Sequence, residues 1–158
     1  MVMSIGLIIL QYVHILFAAT LLGSAFFMNL VLWPSLLRRP AFEAKGFFET
    51  SLKTTSILMG VSGGITFLSG VLRGTVFGTI HSADELLTPY GITFSIALVI
   101  TLAMMIHGPR IGPHLLTEVW KGKEFSSNAK AVVQSAMRIS WISVLIILGC
   151  MVLMHFGL

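Results

Sequence analysis

Residues 5–33, IGLIILQYVHILFAATLLGSAFFMNLVLW, run for 29 positions without Asp, Glu, Lys or Arg. At about 1.5 Å per residue such a helix is longer than the roughly 30 Å hydrocarbon core of a bilayer, so the stretch predicts a transmembrane helix. Within it lies His14. An imidazole inside a membrane helix is costly unless it faces the bundle interior or a polar partner. What His14 meets is therefore the functional question for the remaining chain.

The rest of the composition agrees with that stretch. Of 158 residues, 56% are apolar and only 10% charged, and the mean hydropathy is +0.94, values outside the ordinary soluble class. The fold class they predict is all-α, an integral membrane four-helix up-down bundle. It forms a single transmembrane domain over residues 1–158, with spans at about 5–33, 54–76, 90–107 and 138–157. Such short connections leave no room for a separate soluble catalytic module.

A net charge of +4 would raise nucleic acid as a partner of a soluble protein, but here the topology accounts for it. Arg38, Arg39, Lys45 and Lys53 fall in the first connection; Arg110, Lys121, Lys123, Lys130 and Arg138 fall in or beside the third. Arg73 alone is left for the other side. The positive-inside rule makes those connections cytoplasmic and places both termini outside, in what would be a bacterial or archaeal cytoplasmic membrane. The basic rim then faces anionic lipid, with no nucleic acid partner. Met1–Ser4 has no basic residue and the apolar run is too long for a signal-peptide core, so the first helix is expected to be retained. The sole cysteine, Cys150, excludes an intramolecular disulfide and reads as a small core residue.

Along the chain, Trp33-Pro34 predicts the end of helix one and Pro40 the first turn of the next helix. Ala41–Lys53 is its partly amphipathic lead-in. In span two, Gly60 with Gly64 and Gly70 with Gly74 make GxxxG spacings, which call for a close neighbour: another helix, a second copy, or a flat cofactor. Ser82 and Glu85 have capping-box spacing. Gly108-Pro109 and Gly112-Pro113 predict that helix three stops at His107, and Ser126, Ser127 or Asn128 should cap helix four.

Depth along the helices brings three residues together. His14 is 19 positions from Trp33 and His155 is 17 from Arg138, about 28 and 25 Å along their axes. Arg73, 20 positions past Lys53, reaches about 30 Å by the same rise. Two imidazoles at one depth with an arginine beside them match the needs of haem b: axial nitrogens for iron and a guanidinium for a propionate. The plainer alternatives are a helix-packing hydrogen bond for His14 and a snorkelling role for His155. His107, near the opposite face with Met104, Met105 and His114, is either a second metal site or an interfacial residue. His81, beside Asp84 and Glu85, reads as a solvated loop residue. Met151, Met154 and His155 beside Cys150, with Met1 and Met3 on the same side, offer the soft ligands that select Cu(I).

Tyr12-Val13-His14, Gly23, Phe26-Phe27 and the Arg38-Arg39 exit, followed by T-x-L-x-G at Thr66 to Gly70 and by His107-Gly108, give the chain a likeness to a known group. Over most of its length it resembles the CopD-like and HemJ-like small membrane proteins. The resemblance implies His14, and after it His107, as a haem or metal ligand. HemJ-like proteins bind haem b and oxidise protoporphyrinogen; CopD-like domains are linked to copper handling. The lysine that HemJ proteins carry early in helix three has no counterpart here, since residues 89–100 contain no basic side chain. Haem binding is thus implied and protoporphyrinogen oxidation is not.

The function expected from the sequence is a haem b-binding membrane protein in electron transfer or oxidoreductase chemistry, with quinone or porphyrin as partner. His14 and His155 are its candidate axial ligands, Arg73 its propionate anchor, and no catalytic residue is assigned. The alternatives are a copper-handling transporter or accessory protein and a structural subunit of a larger membrane complex or homodimer. No nucleotide loop, HExxH spacing or Ser-His-Asp pattern is present, which argues against phosphoryl transfer and hydrolysis.

Overall fold

In the computed structural model, which describes residues 5–158, four helices are long and apolar enough to cross a membrane. They are α1 (Ile5–Leu36), α2 (Ala41–Gly74), α3 (Pro89–Val119) and α4 (Ala129–His155). Met1 and Met3, named above as soft ligands, lie outside the described residues. Consecutive helices pack on one another in an up-down order, α1 on α2, α2 on α3 and α3 on α4. The seam between α1 and α4 is closed mainly toward the basic end. There Phe26 meets Trp141 edge-on with ring centroids 5.0 Å apart, and the Asn29 amide donates to Ser140 Oγ at 2.9 Å.

The helices overrun the predicted ends, and each extension has a local cause. Pro34 removes the donor that would continue the ladder of α1, so the helix widens into a π turn at Met28–Leu32, where the Trp33 N–H bonds Met28 O. It then resumes to Leu36 with Pro34 in its first turn. The lead-in after Pro40 and the second span form one unbroken helix, ending at Gly74 rather than at residue 76. Helix three does not stop at His107: α3 continues through Pro109 and Pro113 to Val119. Each proline follows a glycine, which has no Cβ to clash with the ring. The Arg110 guanidinium, moreover, donates to Ile106 O at 3.2 Å, covering a carbonyl in the disturbed turn. Packing finishes the task, for Gly112 lies so close to Leu52 that a Cβ there would stand 2.3 Å from Leu52 Cδ1. Asn128 occupies the N-cap of α4 without a side-chain cap bond. Ser126 Oγ instead donates to Glu118 O at 2.8 Å.

The densest core is at the basic end. Trp33, Leu36, Ala44, Phe48, Leu115, Val119, Trp120 and Val133 are buried together. Trp120 heads a two-residue strand, β1 (Trp120–Lys121), paired antiparallel with β2 (Glu124–Phe125). The turn between them passes through Gly122 at φ 67, where glycine meets no steric penalty. From there the Trp120 indole N–H donates to Ala41 O at 3.1 Å, and its ring lies 5.5 Å from Phe48 and 6.3 Å from Trp33. At the other end, Gly74 admits the Phe94 ring, whose Cε2 would be 2.2 Å from a Cβ. The second GxxxG pair is thus filled by a neighbour, whereas a Cβ on Gly60 or Gly64 would meet nothing within 4 Å.

The α2–α3 connection carries a one-turn 3-10 helix, Asp84–Leu87. The Glu85 carboxylate reaches back to accept from the N–H of His81 and of Ser82, the latter at 2.9 Å, the glutamate half of the expected capping box, while Ala83 and not Ser82 takes the N-cap position without a side-chain bond. Thr88 caps α3, its Oγ1 accepting from the Gly91 N–H at 3.1 Å.

Trp120→Ala should cost about 3–5 kcal/mol, the usual loss for truncating a buried tryptophan, read by thermal unfolding in detergent. Leu87→Ala, where 77% of the residue is exposed, should shift stability by less than about 0.5 kcal/mol. Equal effects would contradict the placement of the core. The N–H bonds to Glu85 hold its pKa below the ordinary carboxylate value. The order they confer is therefore present above the unfolded pKa and lost as pH falls through the lower folded one. The exchange protection factor of the Ser82 amide should drop across that acidic range and be low at every pH in Glu85→Ala.

Candidate functional site

The buried residues of α1, His14, Ala18, Ala25 and Asn29, recur at steps of four, seven and four, which keeps them on one face of a helix. On α2, Ser62, Thr66 and Ser69 are buried and repeat the same pattern. The two faces meet. Alanines on α1 and Gly70 on α2 line this contact, across which His14 Nδ1 lies 2.9 Å from Ser69 Oγ. A Cβ on Gly70 would stand 3.2 Å from His14 Cε1, tight enough that the ring would have to shift by a few tenths of an ångström.

The hydrogen bonds fix which nitrogen does what. Ser69 Oγ lies 2.5 Å from Ile65 O and 3.1 Å from Thr66 O. When its single proton stays on its own helix, the oxygen accepts from the imidazole. In that tautomer His14 Nδ1 carries the proton and Nε2 keeps its lone pair. A histidine oriented through one nitrogen with the other left basic is the arrangement that metal-ligating histidines use.

Arg73, one turn beyond Ser69 on the same face of α2, is half-buried and close enough for its charge to act on His14. Among the described residues the only ion pair is Lys45–Glu49 at 3.9 Å, so Arg73 has no carboxylate partner there. A fixed positive charge beside a neutral nitrogen donor favours an anionic group at the end of the bundle that carries Arg73.

The remaining sequence candidates do not gather there. His155 is exposed at the end of α4, with its ring edge-on to Phe156 at 5.4 Å. His107 and His114, both exposed, are two helical turns apart on α3, and Met104 and Met105 are half-buried. Cys150 is buried, Met151 and Met154 are half-buried, and His81 is exposed in its loop. No group of three or more His, Cys, Asp and Glu that could hold a metal ion occurs among the described residues. Farther toward the basic end, a groove of about 390 Å³ runs between α1 and α2, lined by Ser24, Phe27, Met28, Ser51, Thr55 and Leu58 among others.

Two buried hydroxyls stand apart from the rest. Thr20, Ser24, Thr93 and Thr101 turn their hydroxyls onto the carbonyl one turn back, the usual solution in a membrane helix. Ser62 Oγ and Thr66 Oγ1 do not, and are buried without a hydrogen-bond partner. An unsatisfied buried hydroxyl costs about 1–3 kcal/mol. The sequence reading missed Ser69, Ser62 and the Asn29–Ser140 pair, because single hydroxyls and amides in apolar helices carry no local signal. What could have found them is the spacing of Ser62, Thr66, Ser69 and Arg73 on one face.

Fold and site together define an all-α integral membrane protein of four helices, with a histidine buried between its first two. No protein-family model, curated protein or solved structure matches the chain. Ser69→Ala, measured against His14→Phe in a double-mutant cycle of unfolding in detergent, should reveal a coupling of about 0.6–1.7 kcal/mol, the range of interhelical hydrogen bonds in membranes. A coupling of zero would mean the two side chains are not bonded.

Proposed function

We propose that the protein is a haem b-binding membrane redox protein, related to the CopD-like and HemJ-like proteins, in which His14 Nε2 is the axial ligand and Arg73 pairs with a propionate. The observation that carries this reading is the His14–Ser69 hydrogen bond. It holds the imidazole through Nδ1, and with Nδ1 as donor the lone pair of Nε2 is the one available to iron. Haem would supply a one-electron couple in the apolar phase, where quinones also move.

The protein's own residues do the positioning. Ser69 holds the ring, Gly70 gives it clearance, and Arg73 provides the cation that a buried carboxylate requires. His155 takes no part in this reading, because nothing turns its exposed ring toward His14. With His14 as its one protein ligand, such a haem would also supply chemistry with a small molecule or an external donor. The greater number of basic residues at the far end supports placing Arg73 and both termini on the outer face of a bacterial or archaeal cytoplasmic membrane.

The test is the absorption spectrum of the detergent-purified protein, oxidised and dithionite-reduced, with pyridine haemochrome quantification. The expected result is a reduced b-type α-band that is lost in His14→Ala, shifted in Ser69→Ala and retained in His155→Ala. A protein that stays colourless after expression with added haem precursor would overturn the reading. A band that survives His14→Ala would reject the ligand.

A further inference from the structure

Ser62, Thr66, Ser69 and Arg73 follow one another at steps of four, three and four residues, which keeps all four side chains within a narrow sector of α2. Inward of Arg73, which is half-buried at the helix end, the sector is buried: Ser69, Thr66 and Ser62 are 4%, 7% and 1% exposed. The neighbouring Gly63 faces Met105 Cγ, 3.8 Å from where its Cβ would be. Arg73 to Ser62 is 11 residues, about 16 Å, or half the thickness of a hydrocarbon core.

Hydroxyls that decline the carbonyl one turn back need another partner, and the two that do so here are unpartnered and more than nine-tenths buried. Between helices this closely packed the partner has to be small, and water has the size and the paired donor and acceptor capacity. Thr66 O, which accepts from Ser69 Oγ, also faces the His14 ring.

We propose that the Ser62–Thr66–Ser69 face of α2 holds a short file of water, entered from the Arg73 end, that hydrates the surroundings of His14. It stands whether or not a cofactor occupies Nε2.

The test uses the full chain in membrane vesicles of both orientations, with Ser62→Cys or Thr66→Cys placed in a Cys150→Ala background. Aqueous Ag+, a thiol reagent close to water in size, is added, and the thiols it has blocked are counted after denaturation as those that fail to gain the mass of a maleimide. Only a hydrated thiol ionises and reacts, so both cysteines should be blocked from the Arg73 side at roughly ten times or more the rate of the lipid-facing control Leu68→Cys. Rates as low as that control would overturn the file, and faster blocking from the basic side would overturn its entry at Arg73. A second measurement needs no cysteine: Ser62→Ala with Thr66→Val should lower the Tm if the hydroxyls hold water. An unchanged or higher Tm would mean that they are dry and would also overturn the proposal.

Discussion

Acyl chains are as apolar as the Ile and Leu side chains they touch, so inside a bilayer no hydrophobic effect drives these helices together. Contact has to come from backbones close enough for dispersion to act and from polar groups that find each other. Both are found where α1 crosses α2. Ala18 and Ala25 present little bulk, Gly70 presents none, and across this contact His14 comes within hydrogen-bond range of Ser69. A side chain on Gly70 would press the His14 ring aside by a few tenths of an ångström, and one on Gly74 would displace Phe94 of α3. The same requirement governs the other end of the seam, where Asn29 and Ser140 join α1 to α4.

At the basic end the driving force is different because water is near. Trp33, Phe48 and Trp120 stack against one another and Trp120 ties back to Ala41 O, an aromatic core of the kind that water stabilises. This core explains why α3 persists beyond two prolines. Leu115 and Val119 are buried in it, and their burial offsets the missing backbone bonds at Pro109 and Pro113. Tertiary packing overrides a local helix-stop signal. The bundle is thereby clamped at one end by apolar burial and held along its length by close approach, so the His14 end depends most on individual contacts.

Residue by residue, the sequence was informative where the signal was long and silent where it was short. Four apolar runs and the clustering of basic residues needed no structure, because twenty consecutive apolar residues have few other destinations. His14 was legible as a polar residue in the wrong solvent, and T-x-L-x-G proved to lie around it, Thr66 and Gly70 flanking the serine that binds the ring. His155 was matched to His14 by depth alone, and depth says nothing about the direction a side chain takes around its helix. Azimuth separates the two in the folded chain: His14 faces α2, and His155 faces outward. The Gly-Pro pairs misled for a related reason, since a proline reports on its own backbone and not on what the following turns bury.

Charge at the site discriminates between ligands that the histidine alone would accept equally. An imidazole nitrogen with a free lone pair suits haem iron and copper alike. Arg73 does not suit both. Its fixed positive charge acts on His14 without a carboxylate partner among the described residues. It raises the free energy of a bare metal cation there and lowers that of an anion. On the proposed reading haem would bring its own carboxylates for the guanidinium to pair. Copper would need compensating anionic or thiolate ligands nearby, and Cys150, Asp84 and Glu85 form no such group with His14. The neighbour of the histidine, more than the histidine itself, is thus what sets the proposed porphyrin apart from copper.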